Sequence, residues 1–396
     1  MNSRLEKLQL YPFQKLATLL GDTEPNLDYP PINLSIGEPK MPAPKFIEKE
    51  LSKNSAAIRA YPTTVGGKDL RVAISQWIER RYEGVTIDPN NQVLPVLGSR
   101  EALFGIAQVV IDNRKDNSTV IVPNPFYQIY EGGAILAGAQ VKFLNLTKAN
   151  NYELILSDIP EETWAKVQLM YVCSPNNPTG KVLSLEKWKE IFEYSREFGF
   201  IVAADECYSE IFTSDNYPPL GSLEAAAKLG QGNFTNLVTF GSLSKRSNIP
   251  GLRSGFVAGD ADVLKKFLTY RTYHGSAMSP TTQKVSIAAW GDEDHVIANR
   301  NLYSQNFNEV GRILPAEGFY EKPDAGFYIW METPTCAIDF AKCLYKNYNL
   351  TVLPGPFLAR SNAGVNPGSN RIRVALVEAT SICRDATHRI YDQITK

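Results

Sequence analysis

Three short apolar runs in the middle of the chain each lead directly into a string of polar residues. Residues 169–173 are followed by SPNNPTG (174–180), residues 200–204 by Asp205, and residues 237–240 by a serine-rich segment. From about residue 90 to 260, such runs alternate with helix-like patterns, which is typical of parallel strands covered by helices. Because ligands of parallel sheets bind outside the carboxyl ends of the strands, we expect the three polar strings to line one crevice of an α/β fold.

Lys245 is the residue beside this crevice that most directly indicates chemistry. It lies in SLSKRSNIPGLRSG (242–255), just after the third apolar run. An ordinary lysine has a pKa of about 10.4, so its amine is protonated at neutral pH and is a poor nucleophile. We predict that the positive charges of Arg246 and Arg253 lower the pKa of Lys245. Taken alone, Lys245 would be interpreted as a surface lysine in a serine-rich loop, but Asp205, at the end of another apolar run, favours the functional interpretation.

The strings that contain Asn177, Asp205 and Lys245 resemble, in their order and separation, those of the fold type I, class I/II aminotransferases. The resemblance extends over essentially the whole chain. It implies pyridoxal 5'-phosphate as cofactor, attached to Lys245, with Asp205 paired to the ring nitrogen and with Asn177 and Tyr208 hydrogen-bonded to the phenolic oxygen. A nearby buried carboxylate favours the protonated ring nitrogen, and Lys245, once free, can act as acid and base at the substrate's α carbon.

The same resemblance implies two domains and a homodimer. Residues 40–285 would form a large cofactor-binding domain with a mostly parallel sheet covered by helices, and residues 1–39 and 286–396 a smaller α/β domain. Tyr61, in AYPTTVGGKDLR (60–71), resembles the tyrosine that reaches a cofactor phosphate across the dimer interface. Because Tyr61 precedes Pro62, it could instead simply end an extended segment.

The segment VLPVLGSREALFGIAQVVI (93–111) is a candidate for the phosphate site. It predicts a strand, a tight turn at Gly98 and Ser99, and a helix that begins near Arg100, with Ser99 and Arg100 as candidate cofactor-binding residues. Backbone amides at a helix N-terminus bind anions, although Ser99 alone could be a helix cap without any ligand. The phosphate interpretation is favoured because there are three further candidate phosphate-binding residues, Ser242, Ser244 and Arg253.

Three further residues receive roles from the resemblance. Tyr127, in NPFYQIY (124–130), would stack on the cofactor ring, although a core aromatic is the alternative. Arg373, in NRIRVALV (370–377), would bind the substrate's α-carboxylate, for which a planar guanidinium is well suited. Arg371 lies two residues away and leaves that assignment open if the segment is a strand. Gly37, in LSIGEPK (34–40), would place its backbone against the substrate, although it could merely form a turn.

Longer strings resemble the succinyldiaminopimelate aminotransferases of lysine and peptidoglycan biosynthesis. This closer resemblance implies glutamate as donor and N-succinyl-2-amino-6-oxopimelate as acceptor. The strings are NPFYQIYEGG (124–133), AADECYSEI (203–211), SLSKRSNIPGLRSGFVAGDA (242–261), YRTYHGSAMSP (270–280) and TVLPGPFLAR (351–360).

Other functions are weaker alternatives. An aminotransferase for aspartate or another amino acid, or a lyase on the same cofactor, would share the motifs above. A non-catalytic regulator would need a separate binding module. A serine hydrolase could use the S-x-x-K of residues 242–245, but the chain contains no K-T-G.

Composition limits the partners and the compartment that we expect. The chain has 396 residues, of which 43% are hydrophobic, and 41 basic residues stand against 42 acidic ones. This balance gives no electrostatic reason to expect nucleic acid or an anionic membrane as a partner. The five cysteines and three histidines form no disulfide or metal motif. We therefore expect a cytoplasmic enzyme that binds no metal and acts on small amino acids and 2-oxo acids.

Overall fold

The computed structural model describes residues 1–213, 218–314 and 319–396. Its strands are β1 (Ile32–Asn33), β2 (Val93–Val96), β3 (Thr119–Asn124), β4 (Gln140–Asn145), β5 (Val167–Cys173), β6 (Ile201–Asp205), β7 (Leu237–Ser242), β8 (Gly255–Gly259), β9 (Tyr328–Glu332), β10 (Leu350–Thr351), β11 (Leu353–Pro354) and β12 (Arg371–Ala375). Its α-helices are α1 (Pro12–Leu20), α2 (Lys45–Lys53), α3 (Lys68–Arg81), α4 (Ser99–Val110), α5 (Gln128–Ala137), α6 (Glu161–Trp164), α7 (Leu185–Phe198), α8 (Ser222–Lys228), α9 (Leu243–Arg246), α10 (Ala261–His274), α11 (Pro280–Gly291), α12 (Asp294–Ile313), α13 (Ala337–Tyr348) and α14 (Thr380–Thr395).

The central sheet has seven strands in the order β2-β8-β7-β6-β5-β3-β4. They run parallel except for β8, which is antiparallel to both β2 and β7. The mostly parallel sheet expected from the sequence is thus confirmed, with β6 beginning at Ile201 rather than Phe200 and including Asp205. The strand β8 departs from the pattern because residues 243–254 contain only the short helix α9 and a 3-10 turn, and no helix that crosses the sheet.

Both faces of the central sheet are covered. In β5, Met170 and Val172 pack into one hydrophobic layer, whereas Leu169 and Tyr171 pack into the opposite one. This alternation follows from the two-residue period of a strand, and a sheet buried on both faces needs apolar residues at every position. The carboxyl ends of the strands are therefore the places where polar side chains can gather.

The connections after β2 and before β6 follow their sequence signals. Helix α4 begins at Ser99, directly after Gly98, whose φ of 78° is in the left-handed region. Helix α7 is capped by the Ser184 hydroxyl, which accepts a hydrogen bond from the Lys187 amide at 3.2 Å, and ends at Gly199 with a φ of 74°. The expected strand, turn and helix over residues 93–111 are thus confirmed, and α7 has the usual serine cap and left-handed glycine at its ends.

The C-terminal part contains a smaller antiparallel sheet in the order β11-β12-β9. Strand β1 near the N-terminus pairs in parallel with β10, so that Ile32 lies opposite Leu350. Ile32 also belongs to a hydrophobic cluster formed mainly by residues 307–390. This contact accords with a small domain that combines both ends of the chain, but the domain boundaries at residues 39 and 285 remain a prediction.

Two further properties bear on the sequence expectations. Within the described ranges, no helix is both long and apolar enough to cross a membrane. The cysteines at positions 173, 207, 336, 343 and 383 are all free thiols. Cys173 and Cys383 are buried, and Cys336 is exposed.

Candidate active site

A cavity of about 530 Å³ lies at the carboxyl ends of β3, β5, β6 and β7. It is the crevice that the polar strings indicate, since it collects residues that follow all of these strands. The sequence-predicted residues that line it are Gly37, Ser99, Arg100, Tyr127, Asn177, Asp205, Tyr208, Ser242, Ser244, Lys245, Arg253 and Arg373. Tyr61 is fully exposed on the surface and does not line the cavity of this single chain.

The turn between β7 and α9 presents Lys245 to the cavity. The Ser242 hydroxyl accepts a hydrogen bond from the Ser244 amide at 3.1 Å, which begins the short helix. The Lys245 Nζ donates to the carbonyl oxygen of Gly37. Burial lowers the pKa of Lys245 from 10.5 to about 8. Roughly a tenth of its amine is therefore unprotonated at pH 7, far more than for an ordinary lysine.

The cause of this low pKa differs from the expected one. Burial is the largest cause, followed by charges of both signs, in which Arg373 and Arg100 lower the pKa while Cys207 and Glu38 raise it. Arg246 instead pairs with Glu293 at 2.6 Å outside the cavity, and Arg253 donates to the Leu97 carbonyl at 3.1 Å. The prediction that Arg246 and Arg253 lower the pKa of Lys245 is therefore wrong, because both are held by other partners and desolvation dominates.

Asp205 is a buried carboxyl group at the end of β6, with 4% of its surface exposed. It accepts hydrogen bonds from the Tyr130 hydroxyl at 2.6 Å and from the Cys207 amide at 3.2 Å. Burial raises the pKa of Asp205, and these hydrogen bonds partly oppose the rise. Among the residues that the structure describes, no basic side chain forms a salt bridge with Asp205. Because a buried carboxylate without a cation is costly, the site suits a cationic group of a ligand.

Arg373 joins two of the predicted residues in one network. Its Nη1 donates to the Asn177 side-chain oxygen at 3.1 Å, and its Nη2 donates to the Ser35 carbonyl at 2.8 Å. Its Nε is buried and has no hydrogen-bond partner in the described part of the chain. The Asn177 amide nitrogen lies 3.4 Å from the Tyr208 hydroxyl, which in turn lies 3.2 Å from the Tyr328 hydroxyl. An unsatisfied guanidinium donor beside a cavity is well suited to a carboxylate.

Arg371 is held away from this network. It donates to the Trp330 carbonyl at 3.1 Å and pairs with Glu332 at 3.2 Å. It does not line the cavity, whereas Arg373 does. Arg373 is therefore the better candidate for a substrate carboxylate.

Gly37 occupies a position that tolerates no side chain. A Cβ atom on Gly37 would overlap the hydroxyl group of Tyr328. Because the residue is glycine, its carbonyl oxygen reaches the Lys245 amine across the cavity. This close backbone approach is the physical reason for glycine here.

The phosphate candidates surround the start of α4. Gly98, not Ser99, takes the cap position, and no side chain caps the helix, so the interpretation of Ser99 as a plain helix cap is wrong. A Cβ atom on Gly98 would overlap the guanidinium of Arg253, which therefore packs directly against this turn. The remaining candidates, which also line the cavity, are Ser242 and Ser244. Uncapped amides, hydroxyls and an arginine are groups that bind anions, so this turn is the candidate phosphate site.

Aromatic residues form another wall of the cavity. The Tyr127 hydroxyl accepts a hydrogen bond from the Arg100 Nε at 2.6 Å, and its ring meets that of Tyr130 at an interplanar angle of 87°. The Arg100 guanidinium also lies over the ring of Tyr11, 6.0 Å from its centroid. Tyr127 thus borders the cavity with a fixed orientation.

Sequence reasoning missed three residues that contact the predicted ones. Tyr130 follows Tyr127 by one helical turn, and Cys207 follows Asp205 by two residues. Their spacing from predicted residues is the signal that could have identified both. Tyr328 had no local signal. It reaches Tyr208 and Gly37 because β9 pairs with β12 in a register that places Tyr328 opposite Ala375.

Comparison with known proteins agrees with this geometry. The family model for aminotransferase class I and II matches residues 29–384. The chain belongs to this family. Family members use pyridoxal 5'-phosphate and act on amino acids and 2-oxo acids, so the protein is a fold type I aminotransferase.

Several relatives match over nearly their full lengths. The LL-diaminopimelate aminotransferase of Syntrophobacter fumaroxidans is 31% identical over 396 residues, covering 98% of this chain and 97% of that protein. The enzyme of the same name from Desulforudis audaxviator is 33% identical and covers 89% of this chain and 88% of that protein. The crystal structure of an aminotransferase from Neisseria meningitidis Z2491 is 47% identical, covers all of both chains and superimposes with a TM-score of 0.96.

The residues of the cavity fit the family's cofactor. The Asp205 carboxyl group lacks a cationic partner among the described residues, and a protonated ring nitrogen would supply one. The Lys245 amine has a pKa of about 8 and lies in the same cavity. When bound, the cofactor withdraws electrons from the substrate's α carbon, which makes loss of the α proton possible.

The lowered pKa of Lys245 can be tested by chemical labelling. Borohydride reduction of the cofactor-loaded enzyme should fix the cofactor on the Lys245 peptide. In cofactor-free protein, acylation of the Lys245 amine should increase with pH around a midpoint of about 8, since burial disfavours the charged form. Peptide mapping by mass spectrometry measures both, and the peptide of the exposed Lys189 serves as an internal standard. A label on another lysine would reject the assignment.

The role of Asp205 predicts a separate effect. Asp205→Asn should fold and bind cofactor but lose turnover by a factor on the order of 10² or more, because a preorganised charge partner is removed. Asp205→Glu, which keeps the carboxylate, should lose less. Steady-state turnover and thermal unfolding followed by circular dichroism check the two variants. Near-normal turnover of Asp205→Asn would contradict the role.

Proposed function

We propose that this aminotransferase moves the amino group between glutamate and 2-oxoglutarate on one side and N-succinyl-LL-diaminopimelate and N-succinyl-2-amino-6-oxopimelate on the other. The observation that carries the proposal is the distribution of charge in the cavity: among the described residues, Arg373 and Arg100 keep donors without a protein partner, whereas Glu38 is paired with Lys40 and Asp205 is left for the cofactor. The names of the relatives support the diaminopimelate skeleton. The long sequence strings support its succinylated form.

In this proposal Arg373 binds the α-carboxylate. Its buried position, two existing hydrogen bonds and unsatisfied Nε fix a guanidinium that can hold one carboxylate in a defined orientation. Donor and acceptor occupy the same site in turn, so Arg373 serves both. The α carbon then lies toward Lys245, whose partly unprotonated amine removes and returns the α proton.

Asn177 and Tyr208 orient groups near the same carbon. The Asn177 side-chain oxygen accepts a hydrogen bond from Arg373, and its amide nitrogen lies beside the Tyr208 hydroxyl. Asn177 therefore links the arginine to the part of the site that would bind the cofactor ring. Tyr208 and Tyr328 are buried, which excludes water from this end of the cavity. Electrostatic interactions are stronger where water is excluded.

Arg100 is our candidate for the distal carboxylate. Its Nε is bound to Tyr127, and no other hydrogen bond of Arg100 occurs among the described residues. Its two Nη groups are therefore available as donors to the cavity that Arg100 lines. Glutamate carries one distal carboxylate, and the succinylated substrate carries two. A single cation of this kind can serve both substrates.

The acidic residue at the cavity edge favours the succinylated compound over free diaminopimelate. Glu38 lines the cavity, but its carboxylate lies 2.8 Å from the Lys40 amine. Apart from Asp205, Glu38 is the one acidic side chain in the described cavity lining. A distal ammonium, as in free diaminopimelate, would find this carboxylate already paired. Succinylation removes that ammonium and adds a carboxylate, which suits the basic side chains.

Free LL-diaminopimelate is the second candidate, because the relatives described above carry that substrate in their names. Aspartate or another amino acid remains a third candidate, since Arg373 recognises only the α-carboxylate common to all. A lyase on the same cofactor would use the same residues near the α carbon. It is disfavoured because the chain belongs to an aminotransferase family.

The substrate is tested by comparing amino donors. Purified enzyme should transfer the amino group to 2-oxoglutarate from N-succinyl-LL-diaminopimelate faster than from LL-diaminopimelate, aspartate or alanine. Formation of glutamate and the change in cofactor absorbance measure the two half-reactions. A preference for free LL-diaminopimelate would move the proposal to the second candidate, and a preference for aspartate would remove the lysine pathway altogether.

A variant at Arg100 separates recognition of the distal group from chemistry. Arg100→Gln should raise KM for 2-oxoglutarate and for the succinylated donor by roughly ten- to a hundredfold, because a charge-assisted hydrogen bond is lost. KM for alanine, which lacks a distal carboxylate, should change little. Arg114→Gln is the matched control, since Arg114 is an exposed arginine outside the cavity. An equal rise of KM for alanine would show that Arg100 does not bind the distal carboxylate.

We also propose a homodimer in which Tyr61 completes the partner's site. Tyr61 is fully exposed, and two other large side chains, Ile58 and Tyr273, are 73% and 91% exposed. Exposed aromatic and aliphatic residues of this size are unfavourable in water and typical of interfaces. Among the residues predicted to bind the cofactor, Tyr61 is the one that is absent from the lining of the cavity in a single chain.

Mixed dimers test this arrangement. A Tyr61→Phe chain combined with a Lys245→Ala chain should form hybrids that have one site with neither lesion, so that activity rises above the sum of the unmixed proteins. Light scattering reports the oligomeric state, and the rate per mole of protein reports the rescue. As a control, a Tyr61→Phe chain mixed with a chain that carries both substitutions should give no rescue. An active monomer, or absence of rescue, would contradict the shared site.

A further inference from the structure

Helix α12 carries a row of polar side chains on its inner face. His295, Asn299, Tyr303 and Asn306 follow one another at intervals of three or four residues, which places them on one side of the helix. Asn299, Tyr303 and Asn306 are buried. Buried polar groups are costly unless they form hydrogen bonds, so the partners of this row indicate what it holds in place.

The N-terminal half of the row binds the backbone of the lysine segment. The Asn299 amide nitrogen donates to the carbonyl of Lys245 at 3.0 Å and to the carbonyl of Arg246 at 3.2 Å. Helix α9 has only four residues, so its last carbonyl groups have no partners within it. Asn299 supplies those partners and thereby fixes the backbone from which the Lys245 side chain extends.

Two neighbours of Asn299 extend this contact. His295 lies 2.8 Å from the Ser247 hydroxyl, and the Tyr303 hydroxyl donates to the Asn248 side chain at 3.2 Å. Asp292, His295 and Ser247 are linked in the order of a hydrolase triad. Ser247 is only 1% exposed and does not line the cavity, so the arrangement cannot act on a substrate and holds the lysine segment instead.

The C-terminal half of the row binds the segment that follows Arg373. The Asn306 amide nitrogen donates to the carbonyls of Leu376 and Glu378, both at 3.0 Å. These residues directly continue β12, the strand that carries Arg373. One rigid helix thus contacts both the Lys245 segment and the Arg373 strand.

We propose that α12 sets the spacing between Lys245 and Arg373, with Asn299 and Asn306, which lie in the interior of the helix, as the positioning residues. The inference rests on the proposed roles of Lys245 and Arg373. A substrate held by its α-carboxylate must present its α carbon to the lysine, and a displacement of about 1 Å can reduce the rate about a hundredfold. Lys245 lies in the connection after β7 of the central sheet and Arg373 lies in β12 of the smaller sheet, so neither sheet alone determines the distance between them.

The test uses Asn299→Ala and Asn306→Ala, with Asn301→Ala and Asn308→Ala as matched controls. Each control replaces an exposed asparagine of the same helix, two residues away from its buried counterpart. Asn306→Ala should raise KM for glutamate and 2-oxoglutarate roughly tenfold, because two hydrogen bonds that fix the Arg373 strand are lost. It should leave the pH midpoint of Lys245 acylation in cofactor-free protein unchanged.

Asn299→Ala should affect the lysine rather than substrate binding. It should shift the pH midpoint of Lys245 acylation and lower kcat roughly tenfold, with little change in KM, because the lysine and not the arginine is released. Both controls should match the unaltered enzyme. If either alanine variant does not fold, the serine variant at that position, which keeps one donor, should change the same quantities by a smaller amount.

The outcomes separate this inference from the proposed function. Equal changes of KM and acylation midpoint in both variants, or no change in either, would overturn the positioning role of α12 while leaving the role of Lys245 intact. Borohydride labelling of a different lysine in the unaltered enzyme would instead reject the role of Lys245, and the inference with it.

Discussion

The burial of one primary amine is the interaction on which the rest of the site depends. Burial brings the pKa of Lys245 down to about 8, and the same surroundings raise the pKa of Asp205. Both shifts have one cause, the cost of placing a charge among protein atoms. A cofactor that reacts with a neutral amine suits the lowered pKa of Lys245. Its protonated ring nitrogen would supply the positive charge that the buried Asp205 lacks within the described part of the chain. The cavity therefore favours this cofactor through desolvation rather than through nearby positive charges.

This burial requires several separate parts of the chain to meet. Asp205 ends β6 and Lys245 follows the neighbouring strand β7 of the central sheet, whereas Arg373 belongs to the smaller antiparallel sheet. Gly37 comes from the N-terminal segment, and its carbonyl oxygen accepts a hydrogen bond from the Lys245 amine. The network from Arg373 through Asn177 to Tyr208 crosses this junction. The geometry of the substrate site is thus a property of how the two sheets are held together, and α12 contacts both sides of that junction.

The sequence predicted the parts of the site that strand ends determine. Asn177, Asp205 and Lys245 each follow an apolar run closely, so the topology of a parallel sheet is enough to bring them together. It did not predict Tyr328, which reaches Tyr208 through the register of two distant strands. The orientation of β8 and the cause of the low pKa of Lys245 also escaped prediction, because local composition reports neither a chain reversal nor burial. Charged neighbours are visible in a sequence, whereas desolvation is not.

Recognition of the substrate's two ends rests on different physical grounds. Arg373 is buried, and its place in β12 is fixed by pairing with β9, so a change there would also disturb the smaller sheet. Arg100 is exposed, and Glu38 and Lys40 form an ion pair whose side chains are about half exposed, which contributes at most about 1 kcal/mol to stability. Residues at the cavity edge can therefore change with little effect on the fold. The motifs that determine fold and cofactor consequently cannot determine the acceptor, and enzymes that share them can differ in the distal group that they accept.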